Sequence, residues 1–103
     1  MNTNYICKFV RKNRKVKTSK FIGTLVALAS ESSSPCVFLG WSKCKLSAGD
    51  VFDKERGLRI ALGRAQDGGG GPIPRSLLGE YTEMSERAVK YFKDKKVYAS
   101  LDL

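Results

Sequence analysis

Between Asn4 and Arg11 the side chains alternate, with Tyr5, Cys7 and Phe9 on one face and Ile6, Lys8 and Val10 on the other, the two-residue period of a strand. A basic turn follows. Lys12-Asn13-Arg14-Lys15 offers an asparagine that tolerates a positive φ, and Val16 with Thr18 stands where a return strand can begin. The stretch from Phe21 to Leu28 is apolar on both faces, as suits a central strand covered on one side by a helix. Ser30-Glu31-Ser32-Ser33-Ser34-Pro35 stops it with hydroxyl residues and a proline, and Cys36 to Ser42 reads as the next strand.

After Cys44 the period lengthens to that of a helix. Ser47 or Asp50 is placed to cap a helix starting near Val51, with Asp50, Asp53 and Glu55 at its positive end and Leu58, Ala61, Leu62 and Ala65 on one face. Gly57 and Gly63 inside such a helix each cost about 1 kcal/mol against alanine. The expected offset is close approach of the helix backbone to the sheet or to a bulky ring, with Trp41 lying beneath this helix. Four consecutive glycines, Gly68 to Gly71, and two prolines then exclude regular structure. A second helix follows, with Leu77, Tyr81, Met84, Ala88 and Tyr91 in one stripe that Leu78, Val89 and Phe92 widen. Glu83 with Arg87, and Glu86 with Lys90, sit four apart in the favourable orientation. The tail from Val97 to Leu101 alternates weakly and suits a short strand. The pattern predicts an α+β fold, an antiparallel sheet of three or four strands packed against two helices. It is one domain over 1–103, with strands mainly in 4–42, helices at 51–66 and 75–94, and a Gly/Pro loop at 67–74.

Composition narrows what this fold can do. A chain of 103 residues has room for one core, and its longest apolar run, Phe21 to Ala29, is far short of the ~20 residues that cross a bilayer. No membrane partner is expected, and a cytoplasmic location is. Three cysteines (Cys7, Cys36, Cys44) without a CxxC pair speak against a disulfide framework or a zinc ribbon. The absence of histidine removes the commonest metal ligand and general base. Cys44 lies between Lys43 and Lys45, yet no base accompanies it, and the acids near residue 50 suit helix capping better than metal binding. The glycine run lacks the spacing of phosphate-binding loops. No enzyme, cofactor or metal site is expected.

The net charge of +9 is concentrated at one place. Residues 1–20 hold Lys8, Arg11, Lys12, Arg14, Lys15, Lys17 and Lys20 and no acid, which leaves only +2 for the remainder. Such a cluster attracts polyanions, phosphates first among them, although lysines also guard an edge strand against unwanted pairing. Arg56 and Arg59, with Arg64 beyond them, are read as exposed cations that extend this patch or pair with neighbouring acids.

The block Gly40-Trp41-Ser42-Lys43-Cys44, followed by Gly49-Asp50-Val51-Phe52-Asp53-Lys54-Glu55-Arg56-Gly57-Leu58-Arg59-Ile60-Ala61-Leu62-Gly63-Arg64-Ala65, resembles a pattern in small, mostly uncharacterised proteins of tailed bacteriophages. The resemblance implies a phage origin and a protein that acts on host machinery by binding, in the host cytoplasm, and it brings no catalytic residue. The expected function is a non-enzymatic binding module that engages nucleic acid, DNA or RNA, through Lys8 to Lys20, with aromatic support from Tyr5 or Phe9. The alternative is a phage-encoded inhibitor that sets the same basic patch against an acidic host protein.

Overall fold

The computed structural model describes residues 4–13, 15–30, 36–44, 49, 51–67, 73–93 and 95–98. Three strands, β1 (Tyr5–Arg11), β2 (Phe21–Ser30) and β3 (Cys36–Lys43), precede two helices, α1 (Lys54–Gln66) and α2 (Arg75–Tyr91), and a short strand β4 (Lys96–Tyr98) closes the order. The sheet runs β1-β2-β3-β4 in space. β1–β2 and β2–β3 are antiparallel, whereas β4 lies parallel to β3, with Val37 opposite Val97. The fold is therefore α+β with a mixed sheet rather than a purely antiparallel one. A parallel neighbour needs a long crossover, and the chain through α1 and α2 supplies it.

The helices cover opposite faces. On one, Ile6, Val10, Leu25, Ala27, Val37 and Leu39 pack against Leu77, Tyr81, Met84 and Ala88 of α2, and Phe92 closes the same core. On the other, Val26 and Leu28 meet Ala61 and Ala65 of α1, with Tyr5, Cys7, Phe38, Leu58 and Leu62 around them. This explains why β2 is apolar on both sides: it is buried from Gly23 to Ala29. Trp41 shares the face of Val37 and Leu39 and packs on the α2 side, not beneath α1 as its neighbours in the sequence suggested. Alternation along β3 sends Gly40 and Ser42 to α1 and Trp41 to the other layer.

α1 sits unusually close to the sheet. A Cβ on Gly40 would fall 2.0 Å from the Ala61 carbonyl oxygen, and one on Gly57 would fall 2.5 Å from Thr24 Oγ1. The Ser42 hydroxyl donates to the Gly57 carbonyl oxygen at 2.9 Å, so the seam is joined as well as packed. Gly57 has the expected packing role; Gly63 does not, since nothing lies within 4 Å of the place its Cβ would take.

Element boundaries differ from expectation in ways that have local causes. Asp53 caps α1, with extended backbone and a carboxylate that accepts from the Arg56 N–H, so the helix starts at Lys54 rather than near Val51. The β1–β2 connection stays irregular through Lys20 instead of returning at Val16, and Asn13 reaches its turn without positive φ: its Oδ1 accepts from the Lys15 N–H at 3.1 Å. α2 ends at Tyr91, and Phe92 leaves helical geometry to enter the core, which puts Tyr91 and Val89 on the exposed side. The expectations for Ser47, Asp50, the serine run at 31–35, the four glycines and the tail beyond Tyr98 lie outside the described residues.

Alanine substitutions separate the glycines. Gly63→Ala should raise stability by about 1 kcal/mol through helix propensity alone. Gly40→Ala should lower it by about 3 kcal/mol or more, since a backbone oxygen cannot move aside as a side chain can. Urea denaturation of the two variants reads both signs, and equal effects would contradict the seam.

Candidate nucleic-acid interface

The end of the sheet where β1 runs into β2 gathers most of the cations of interest. Lys12, Lys15, Lys17 and Lys20 are all exposed there, and none forms an ion pair with a described residue. The connection has its own hydrogen bonds. Lys12 N–H donates to the Lys20 carbonyl oxygen, Asn13 N–H to Ser19 Oγ, and the Arg11 guanidinium to the Ser19 carbonyl oxygen at 2.7 Å. Turns at Val16 and Ser19 complete it. The cations thus stand on a structured support, which lowers the ordering cost of binding. Arg14 lies outside the described residues.

At the base of this connection the register slips. Val10 faces Gly23, but Arg11 faces Phe21, so Ile22 is the extra residue of a β-bulge. The bulge reverses the alternation: Ile22 packs into the α2-side core, and Phe21 turns to the α1 side. There Phe21 meets Phe9 at 6.0 Å between ring centroids and Phe52 at 5.5 Å, and Phe9 meets Phe52 edge-on at 6.1 Å. All three rings are half-buried. Arg11 lies over Phe21 at 4.1 Å, and Lys54 stands 5.1 Å from both Phe9 and Phe21. Beside Phe52 lies a small cleft of about 60 Å³, lined by Ser42, Cys44, Arg56 and Gly57 among others.

The other expected site residues divide. Lys8 points to the α2 side, where its ammonium pairs with the buried Glu80 carboxylate at 2.5 Å, so its charge is partnered whereas those of Lys12, Lys15, Lys17 and Lys20 are not among the described residues. Arg56 is exposed at the aromatic end, next to Phe52. Arg59 lies farther along α1, in an open groove with Leu58 and Leu62. Arg64 is half-buried rather than exposed: it stacks 3.9 Å above Trp41 and donates to the Trp41 carbonyl oxygen at 2.8 Å. Of the two aromatics expected to help, Phe9 is in the cluster and Tyr5 packs against the α1-side core. Sequence reasoning missed Phe21, Phe52 and Lys54. Phe52-Asp53-Lys54, an aromatic and a cation around a helix cap, was the available signal.

Among the described residues no group of three His, Cys, Asp or Glu side chains is placed to hold a metal ion, and no helix is long and apolar enough to cross a membrane. Burial pushes the Cys7 thiol above its ordinary pKa, and the Arg87 charge draws it part of the way back. Comparison with protein-family models, with curated proteins and with solved structures finds no match to this chain.

Two measurements check these assignments. Lys8→Met removes the ammonium that pairs with the buried Glu80 carboxylate and should lower stability by about 1–3 kcal/mol while leaving polyanion binding unchanged. A loss of binding in the folded variant would return Lys8 to the patch. In a variant with Cys36 and Cys44 changed to serine, the rate of Cys7 alkylation should rise with pH along a curve whose midpoint lies above that of a free thiol, because only the thiolate reacts and burial disfavours it. A midpoint at or below the free-thiol value would contradict that burial.

Proposed function

We propose that this chain is a non-enzymatic nucleic-acid-binding module whose contact surface is the β1–β2 connection together with the start of α1. The observation that carries this reading is the set of exposed lysines at positions 12, 15, 17 and 20, held on a hydrogen-bonded loop and free of carboxylate partners among the described residues. Cations already neutralised by acids release no counterions from a polyanion; these remain available to do so. Lys54 and Arg56 extend the same end of the molecule. The resemblance of residues 40–44 and 49–65 to small tailed-phage proteins supports a phage origin and action in the host cytoplasm. One observation favours a second reading, an inhibitor of an acidic host protein: Val16, between Lys15 and Lys17, is an exposed apolar side chain that a protein surface would cover.

Affinity for short DNA and RNA oligonucleotides, measured from low to moderate salt, tests the first reading. Four phosphate contacts predict a log–log slope of about −3 to −4, and Lys15→Glu with Lys17→Glu should make it shallower by roughly 1.5. A folded double variant with unchanged affinity and slope would reject the surface. Absence of oligonucleotide binding, with capture of one protein that survives nuclease treatment, would favour the inhibitor.

A further inference from the structure

The three phenylalanines pose a question that the lysines do not answer. Phe9, Phe21 and Phe52 belong to neither core cluster, yet they gather at the foot of the cationic loop and keep part of their surface in solvent. A duplex in its stacked form offers phosphates and groove edges to a surface, but no base face. A single strand offers both phosphates and unstacked bases, and aromatic rings beside cations are the arrangement that binds the two together.

Building on the nucleic-acid reading, we infer that the Phe9–Phe21–Phe52 cluster is a stacking platform for an unpaired base, and that the preferred ligand is a single strand. The rings are not equivalent. Phe21 carries the Arg11 guanidinium over its face, and Lys54 stands over Phe9 and Phe21. Phe52 has no cation from the described residues over its ring, so it is the ring a base can reach without displacing one. Lys54, over Phe9 and Phe21, and Arg56, beside Phe52 at the cleft, then stand near the rings to meet the flanking phosphates. The Asp53 carboxylate accepts from the Arg56 N–H and is held in its capping position.

The experiment compares a labelled twelve-nucleotide single strand with the blunt duplex of the same sequence, by fluorescence anisotropy at one salt concentration, on the wild type, Phe52→Leu and Phe52→Tyr. The wild type should bind the single strand more tightly. Phe52→Leu, which keeps an apolar side chain and removes the ring, should weaken single-strand binding about fivefold or more while duplex affinity stays within about twofold; Phe52→Tyr should restore it. The salt slope should not change in either variant, because no phosphate contact is removed. Equal loss on both ligands, or a fall in melting temperature with no change in discrimination, would show that the cluster only pins α1 to the hairpin and would overturn the inference. If Phe52→Leu does not fold, Phe52→Met, which also keeps an apolar side chain and removes the ring, is read by the same criteria. A wild type that binds both ligands with equal affinity overturns the stacking platform alone, whereas one that binds neither overturns the nucleic-acid reading beneath it.

Discussion

Everything at the aromatic and cationic end of the molecule depends on how closely α1 approaches the sheet. Small groups stand at the closest approach: Thr24, Gly40 and Ser42 on the strands, Gly57, Ala61 and Ala65 on the helix. With no side chain at Gly40, the Ala61 carbonyl lies where a Cβ would stand, and the Ser42 hydroxyl bonds the Gly57 carbonyl. Close packing of this kind fixes a helix in both height and register, because any shift along its axis brings a backbone atom into collision. The start of α1 is then held against the β1–β2 end, and Phe52, Lys54 and Arg56 are delivered to Phe9 and Phe21 as a consequence.

The bulge at Ile22 is the second device, and it works with the seam. Without the extra residue, the alternation that buries Leu25 and Ala27 under α2 would also send Phe21 to the α2 side. With it, Ile22 fills that place, and Phe21 joins Phe9 and Phe52. Arg11 follows the same shift, bonding back to Ser19 and covering Phe21. A single irregularity in one strand pair thereby converts a core residue pattern into a half-exposed aromatic and cationic surface.

This explains what was legible in the sequence and what was not. The strands and helices follow from periods of two and about 3.6, and α2 was plain because Leu77, Tyr81, Met84 and Ala88 repeat in one stripe. The lysines of the connection were legible because a run of like charge without acids has few places to go but solvent. The placement of the helices on opposite faces was less visible, since an apolar run such as Phe21 to Leu28 says that both sides are covered without saying by what. The Lys8–Glu80 pair joins residues far apart in the chain, and Trp41 went to the wrong layer because only the parity of β3 against Gly40 decides its side. Phe21 was hidden for the same reason: a bulge changes parity and leaves no mark in the hydrophobic pattern.

With a helix on each face, the sheet has only its edges and ends left for recognition. The β3 edge beyond β4 is occupied where Arg64 bonds the Trp41 carbonyl. The β1 edge is open among the described residues: Asn4 bonds directly to Ala29, so by the antiparallel rule the backbone groups of Tyr5, Cys7 and Phe9 face outward. Lys8 stands on this edge strand with its charge turned inward to Glu80, one of the ways natural sheets discourage a second strand from pairing, and the protein's high positive charge opposes association with a further copy of itself. The lysines of one run are therefore placed differently. Lys8, in mid-strand, pairs with an acid from the helix layer, and those of the connection, which no carboxylate of the described residues reaches, keep an unpaired charge in solvent.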